Sequence, residues 1–157
     1  MESVQCGDAR IFSELESLYS AWGGPSWERR GNWTLRSVSF CNWEGISCSG
    51  NNVTGITLHL NNLQGNVGAP HLPCIFETIV TLDLYGNTKL GGSLPATWSA
   101  MRKLQRLDLS DNLGLSGGLP LEWDALTELR YLYAYNSGLQ STLPPWISLK
   151  KLRYISL

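Results

Sequence analysis

From residue 53 onward the apolar positions follow one motif. Val53-x-x-Ile56-x-Leu58, Ile79-x-x-Leu82-x-Leu84, Leu104-x-x-Leu107-x-Leu109, Leu129-x-x-Leu132-x-Ala134 and Leu152-x-x-Ile155-x-Leu157 begin 26, 25, 25 and 23 residues apart. Within each run the fourth and sixth residues share one face of a short strand and point into a core. The third, fifth and seventh point out, because strand side chains alternate. The first four runs carry a common tail: Asn61, Leu63, Gly65, Val67; Asn87, Leu90, Gly92, Leu94, Pro95; Asn112, Leu115, Gly117, Leu119, Pro120; and Ser137, Leu139, Ser141, Leu143, Pro144. Repetition at this period predicts stacked coils over 53–78, 79–103, 104–128 and 129–151, with a partial coil at 152–157.

The Asn at the ninth position of each unit stands where the chain leaves the strand. Its amide can both donate to and accept from backbone groups that the turn leaves unpaired, making it a rung between coils. The second and third units hold one extra residue between that Asn and the next Leu. The fourth has Ser137 in the Asn position, with Asn136 before it, so a weaker rung is expected there. Pro95, Pro120 and Pro144 start the return path. Trp98, Trp123 and Trp146 each fall six residues before the next unit's first Leu and predict a column over the far side of the core.

Residues 1–52 lack the repeat and are expected to cap the first coil's open edge. Ile11, Phe12, Leu15, Leu18, Tyr19 and Trp22 follow helical spacing, with Asp8 as the expected N-cap and Gly23-Gly24-Pro25 as the stop. Trp27, Trp33, Phe40 and Trp43 add apolar cover. The start, Met1-Glu2-Ser3-Val4-Gln5-Cys6, has no secretory-signal character, and the end at Leu157 is a strand without a cap. Both ends read as cut, so a segment of a longer protein is expected, with Met1 open to being non-native.

Composition narrows the classes. The 157 residues carry 12 Lys+Arg against 13 Asp+Glu, a net charge of -1, which gives no electrostatic grip on nucleic acid. With 43% hydrophobic and 16% charged residues the chain can bury a core. No apolar run approaches the ~20 residues of a membrane helix, so no membrane insertion by this segment is expected.

The outward strand positions are Gly55, Thr57, His59; Thr81, Asp83, Tyr85; Arg106, Asp108, Ser110; Tyr131, Tyr133, Tyr135; Tyr154 and Ser156. They change from small and polar to aromatic along the array. Binding surfaces enrich Tyr and Arg, so Tyr85, Arg106, Asp108, Arg130, Tyr131, Tyr133, Tyr135 and Tyr154 are the candidate binding residues. The bland alternative is that Tyr is a favoured strand residue packing on its neighbours. Asp83 and Asp108 fall at the same position of adjacent strands, about 5 Å apart, the spacing of a retaining glycosidase pair. They stand on an open surface beside Arg106, which is expected to keep both ionised, so a glycoside-acting enzyme is only a minor alternative. His71-x-x-Cys74 is a lone partial metal match, and neither a metal nor a cofactor is expected. Four Cys allow three connectivities or buried free thiols. Asn32-Trp33-Thr34 and Asn52-Val53-Thr54 are glycosylation sequons, which predict exposed Asn32 and Asn52 and favour an extracytoplasmic setting.

The pattern LxxLxLxxNxLxGxIP, after a cap with Cys41-Asn42-Trp43-Glu44-Gly45-Ile46-Ser47-Cys48 and Asn52-Val53-Thr54-Gly55, resembles extracellular leucine-rich repeat proteins of the plant type. Leu18-Tyr19 through Trp27 and Trp33 is similar to caps of this class in protists as well. Leu94-Pro95-Ala96-Thr97-Trp98, Leu119-Pro120-Leu121-Glu122-Trp123 and Leu143-Pro144-Pro145-Trp146 resemble the LPxxW units of kinetoplastid surface antigens. The resemblance implies a leucine-rich repeat solenoid of the α/β class, with a helical cap, parallel strands on the concave face and irregular or 3-10 convex segments. It implies a Cys41–Cys48 disulfide, with Cys6 and Cys74 as the remaining pair. It also implies a secreted or cell-surface receptor or adhesion module without catalytic activity, binding protein, peptide or glycan through the concave face. The alternative is a self-associating scaffold pairing through the Tyr-rich face and open C-terminal edge. Gly68 in place of the first-unit Pro, the Ser137 rung and the missing C-terminal cap depart from the pattern.

Overall fold

The computed structural model describes residues 5–140 and 142–157. Met1 and Ser141, the fourth unit's glycine position, lie outside the described residues. The chain opens with helix α1 (Asp8–Ala21), followed by 3-10 turns at Gly24–Ser26 and Phe40–Asn42 and by strands β1 (Ile46–Ser49) and β2 (Asn52–Thr57). The first three coils repeat one plan. A first strand is followed by a second and then a return segment: β2 leads to β3 (Gln64–Asn66) and helix α2 (Pro73–Thr78); β4 (Thr81–Asp83) to β5 (Lys89–Ser93) and a turn at Ala96–Ala100; β6 (Arg106–Asp108) to β7 (Gly114–Ser116) and a turn at Leu121–Ala125; β8 (Tyr131–Tyr133) and β9 (Tyr154–Ser156) are the first strands of the last two coils.

The main sheet runs β1-β2-β4-β6-β8-β9, with only the β1–β2 pair antiparallel. Its register aligns Ile56, Leu82, Leu107, Leu132 and Ile155, so the motif's fourth position forms one apolar row. The first four of these are buried, as are Leu58, Leu84, Leu109 and Ala134 at the sixth position. This is the leucine-rich repeat solenoid that the sequence predicts.

A second parallel sheet, β3-β5-β7, was not anticipated where irregular or 3-10 segments were expected. It needs close backbone approach: a Cβ on Gly114 would lie 2.7 Å from the Leu90 carbonyl oxygen, and one on Gly91 2.9 Å from that of Gly114. Glycine therefore permits the pairing.

The Asn rungs connect coils as expected. Asn87 Oδ1 accepts from the backbone N–H groups of Asn61 and Leu63, both at 3.0 Å, while its Nδ2 donates to the carbonyls of Leu58 at 3.0 Å and Leu84 at 2.8 Å. Asn112 repeats this one coil on, accepting from Asn87 N at 2.9 Å and donating to Leu84 O at 3.0 Å. The residue before each rung is left-handed, with Leu60 at φ 49°, Gly86 at 73°, Asp111 at 55° and Asn136 at 48°. Trp98 and Trp123 stack at 5.8 Å between ring centroids, and the indoles of Trp123 and Trp146 donate to the Pro95 and Pro120 carbonyls.

The cap covers the first coil in two ways. Strand β1 pairs with the edge of β2, and α1 buries Ile11, Leu15 and Leu18. Trp27 and Trp33 meet edge to face at 4.9 Å, and Tyr19 stacks on Trp33. Asp8 is the first residue of α1, not its N-cap. Gly7 holds that place without a side-chain bond, its carbonyl accepting from Arg10 and Ile11. The helix stops at Gly23, which is left-handed at φ 70°. Disulfides join Cys6 to Cys74 and Cys41 to Cys48. Glu14 of α1, almost fully buried, accepts from Cys74 N and Ile75 N at 3.0 Å each and so caps α2. Asn32 and Asn52 are exposed.

Candidate ligand-binding face

Strand pairing converts the motif's outward positions into rows across the coils. One row is Gly55, Thr81, Arg106, Tyr131, Tyr154; the next is Thr57, Asp83, Asp108, Tyr133, Ser156. Adjacent members stand about one strand spacing apart, ~4.8 Å, close enough for side chains to touch between coils.

In the last three coils they do. The Arg106 guanidinium carbon lies 4.5 Å from the centroid of the Tyr133 ring, and the Tyr133 and Tyr154 rings are 5.1 Å apart at 38°. Arg106 also reaches Asp108 Oδ2 at 3.5 Å. Tyr154 is 49% exposed and the flanking Tyr135 41%, so aromatic surface faces solvent here, with the Arg106 cation seated on the Tyr133 ring between.

Nearer the cap lies a shallow basin of about 410 Å³, lined by His59, Leu60, Asp83, Tyr85, Asp108 and Tyr135. His59 Nδ1 stands 3.3 Å from Asp83 Oδ2. The Asp111 carboxylate is hydrogen-bonded to Tyr85, which raises the phenol's pKa, and it also accepts from Asn136 Nδ2. Outward alternation points to His59 and Tyr85. The Asp111 and Asn136 contacts come from left-handed turn residues outside the motif's alternation.

Several expected placements are corrected. Gly55, Asp108 and Ser110 face outward by alternation but are buried. The Ser47 side chain of β1 comes within 3.2 Å of where a Gly55 Cβ would stand, and Asp108 sits among Asp83, Arg106 and Ser110. Arg130 does not belong to the outward rows. It is the residue before β8, and its side chain lines a separate cavity on the flank with Arg153. Nor does Arg106 hold Asp108 in the ordinary ionisation range. Burial outweighs it and raises the Asp108 pKa, with Asp83 adding to the rise and the Ser110 hydrogen bonds and Arg106 opposing it.

The two carboxylates have local structural work. Asp83 Oδ1 accepts from Tyr85 N and Asp108 Oδ1 from Ser110 N, each at 3.1 Å, closing the turn at its strand's end. That bond, two residues on in both coils, accounts for Asp at this position without a paired acid and base. His71-x-x-Cys74 offers no thiolate, because Cys74 is disulfide-bonded, and among the described residues no three His, Cys, Asp or Glu gather as a metal site.

No protein-family profile matches the chain. Among curated proteins it is similar to the LRR receptor-like serine/threonine-protein kinase GSO2 of Arabidopsis thaliana, 34% identical over 70 residues, 43% of this chain and 5% of that protein. The chain thus spans a small fraction of the relatives that it matches. Among solved structures it resembles a chain of the BIR3–SERK2 complex of Arabidopsis thaliana, with a TM-score of 0.79 and 29% identity, covering 92% of this chain and 78% of that one. It also resembles the Arabidopsis receptor kinase HAESA LRR ectodomain in complex with an IDA peptide hormone ligand, with a TM-score of 0.70 and 26% identity over 95% of this chain and 25% of that one. The likeness is to plant leucine-rich repeat ectodomains, and the two disulfides fit an extracellular segment.

Proposed function

We propose that this chain is a recognition module that binds an extended peptide along the outward face of its main sheet, with Arg106, Tyr133 and Tyr154 as the anchor. The reading is carried by that cluster. Three side chains from three successive coils touch one another and leave Tyr154 half exposed. Tyr131 and Tyr135 flank it, and Tyr85 stands across the basin. Rigid rings on a preformed sheet lose little entropy on binding, and an extended chain crossing the coils runs along the rows and can offer side chains to successive coils. The peptide bound by the HAESA ectodomain supports this choice of ligand class over protein surfaces or glycans. Asp83 and Asp108, held by backbone amides, shape the floor of the site without a catalytic task.

The test is selection from a displayed library of random 12-residue peptides. Selected peptides are expected to lose about thirtyfold or more in affinity for Tyr133→Ala or Tyr154→Ala, the loss typical of an aromatic anchor. Peptides that bind these variants and the parent equally, or a library that yields no binder while a glycan array does, would sink the reading. Sedimentation across a range of concentrations separates it from self-association, which predicts a dimer that Tyr154→Ala dissolves.

A further inference from the structure

A second site lies on the flank of the solenoid, off the outward rows. Arg130 and Arg153 each occupy the residue immediately before a strand, β8 and β9, and Arg153 N donates to Arg130 O at 2.9 Å. The same position in the earlier coils holds Thr54, Val80 and Gln105, so the paired charge is confined to this end. Lys150 and Lys151, in the turn leading to β9, complete the wall of a cavity of about 290 Å³ lined by Arg130, Lys150, Lys151, Leu152 and Arg153. A third of the 12 Lys and Arg of a chain with net charge -1 thus line one depression.

The nearby carboxylates do not neutralise it. Glu128 is taken by Lys151, whose Nζ stands 2.7 Å from Oε1. Asp124 accepts from Ile147 N, Ser148 N and Ser148 Oγ. Among the described residues the side chains of Arg130, Lys150 and Arg153 form no hydrogen bond or ion pair. The Nε of Arg130 is moreover shut off from solvent without an acceptor. A desolvated donor on a cationic group is costly when left unmade, and the cations around the cavity, of which Lys150 alone feels the Asp124 carboxylate and does so without an ion pair, repel one another. One anionic ligand would relieve that repulsion and give the part-buried Arg130 guanidinium a counter-charge.

We propose that this cavity binds a tetrahedral oxyanion group, the sulfate or phosphate ester of a partner molecule, through Arg130, Lys150 and Arg153. The donors come from two strand lead-ins and a turn, which suits an anion with several acceptor oxygens rather than one planar edge. The site is independent of the peptide face, and Tyr133→Ala leaves it intact.

Calorimetric titration of the whole chain with sodium sulfate and sodium phosphate at low salt tests it, against sodium chloride at equal ionic strength. Saturable heat is expected from sulfate, phosphate or both, and not from chloride. Loss of one charge-assisted hydrogen bond weakens the affinity by about tenfold or more in Arg130→Gln or Arg153→Gln. Lys150→Gln, at an exposed residue, is expected to weaken it as well and guards against misfolded variants. Glucose 6-sulfate and glucose 6-phosphate then distinguish the ester. Heats that match chloride, an affinity unchanged in Arg153→Gln and Lys150→Gln, or failure of both sugar esters to bind would overturn the proposal.

Discussion

Ser137 occupies the rung one coil beyond Asn112, yet its hydroxyl donates back to Ala134 O at 2.6 Å, inside its own coil. Asn112 by contrast accepts from Asn87 N at 2.9 Å and donates to Leu84 O at 3.0 Å, both in the coil before it. Serine is one bond too short to span the gap. Among the described residues, its bonds stay in its own coil. Ser137→Asn is therefore expected to stabilise the fold by about 1 kcal/mol, one net hydrogen bond. Thermal unfolding should show this as a rise of about 2–4 °C. Asn112→Ala should go the other way by about 3 kcal/mol, since it strands several buried backbone groups. An unchanged midpoint for Ser137→Asn would show that the rung carries no energy there.

The ladder was legible in the sequence because it repeats, and so were the strand rows. What repetition does not encode was missed. Glu14 caps α2 across 60 residues of chain, and nothing in a helical pattern marks one glutamate as the partner of a distant pair of amides. The second sheet depends on glycine-permitted contact between coils, a property of the stack and not of one unit. Arg130 is a different case. Alternation carried one residue back from Tyr131 would have taken it off the outward face. Asp108 obeys alternation but is buried by neighbours from its own and adjacent coils, which a single-coil reading cannot see.

Leu60 shares its left-handed backbone with Gly86, Asp111 and Asn136, the equivalent residues of later coils, yet it alone of the four is a large apolar side chain. It is also 51% exposed, so its burial offsets little of the strain. Asparagine tolerates this conformation far better than leucine. Leu60→Asn is expected to stabilise by about 0.5–1 kcal/mol, measured by denaturant midpoint at constant slope. A loss would mean that the leucine's contact with Gly86 outweighs the backbone term.

The two disulfides close loops of very different length, with sequence separations of 68 for Cys6–Cys74 and 7 for Cys41–Cys48. Loop-closure entropy predicts losses of about 4 and about 2.5 kcal/mol when each pair is replaced by serine. The longer bond also pins α2 beside its Glu14 cap. Glu14→Ala should thus cost about 2–3 kcal/mol even with both disulfides intact, because Cys74 N and Ile75 N lose their acceptor. Equal losses for the two serine pairs would show that the unfolded chain is not the controlling term.

Two aspartates should give the fold opposite responses to pH. Burial raises the pKa of Asp108 above its ordinary value of 3.8, so its ionisation disfavours the folded state. The stability present below pH ~3.8 is lost as pH rises through the folded pKa. The Ser148 backbone and hydroxyl groups, with Ile147 N, lower that of Asp124 despite some burial, and Lys150 adds to the effect. Its contribution is present above pH ~3.8 and disappears as pH falls through the folded pKa. Asp108→Asn, which keeps an oxygen for Ser110 N, is therefore expected to raise the thermal midpoint at pH 7 and to change it little at pH 3. Asp124→Asn should lower the midpoint at pH 7 and converge on the parent in strong acid. Midpoints of the three proteins between pH 2 and 7 decide it. If Asp108→Asn is destabilising at pH 7, the Arg106 pairing and the Ser110 hydrogen bonds outweigh the burial of the carboxylate.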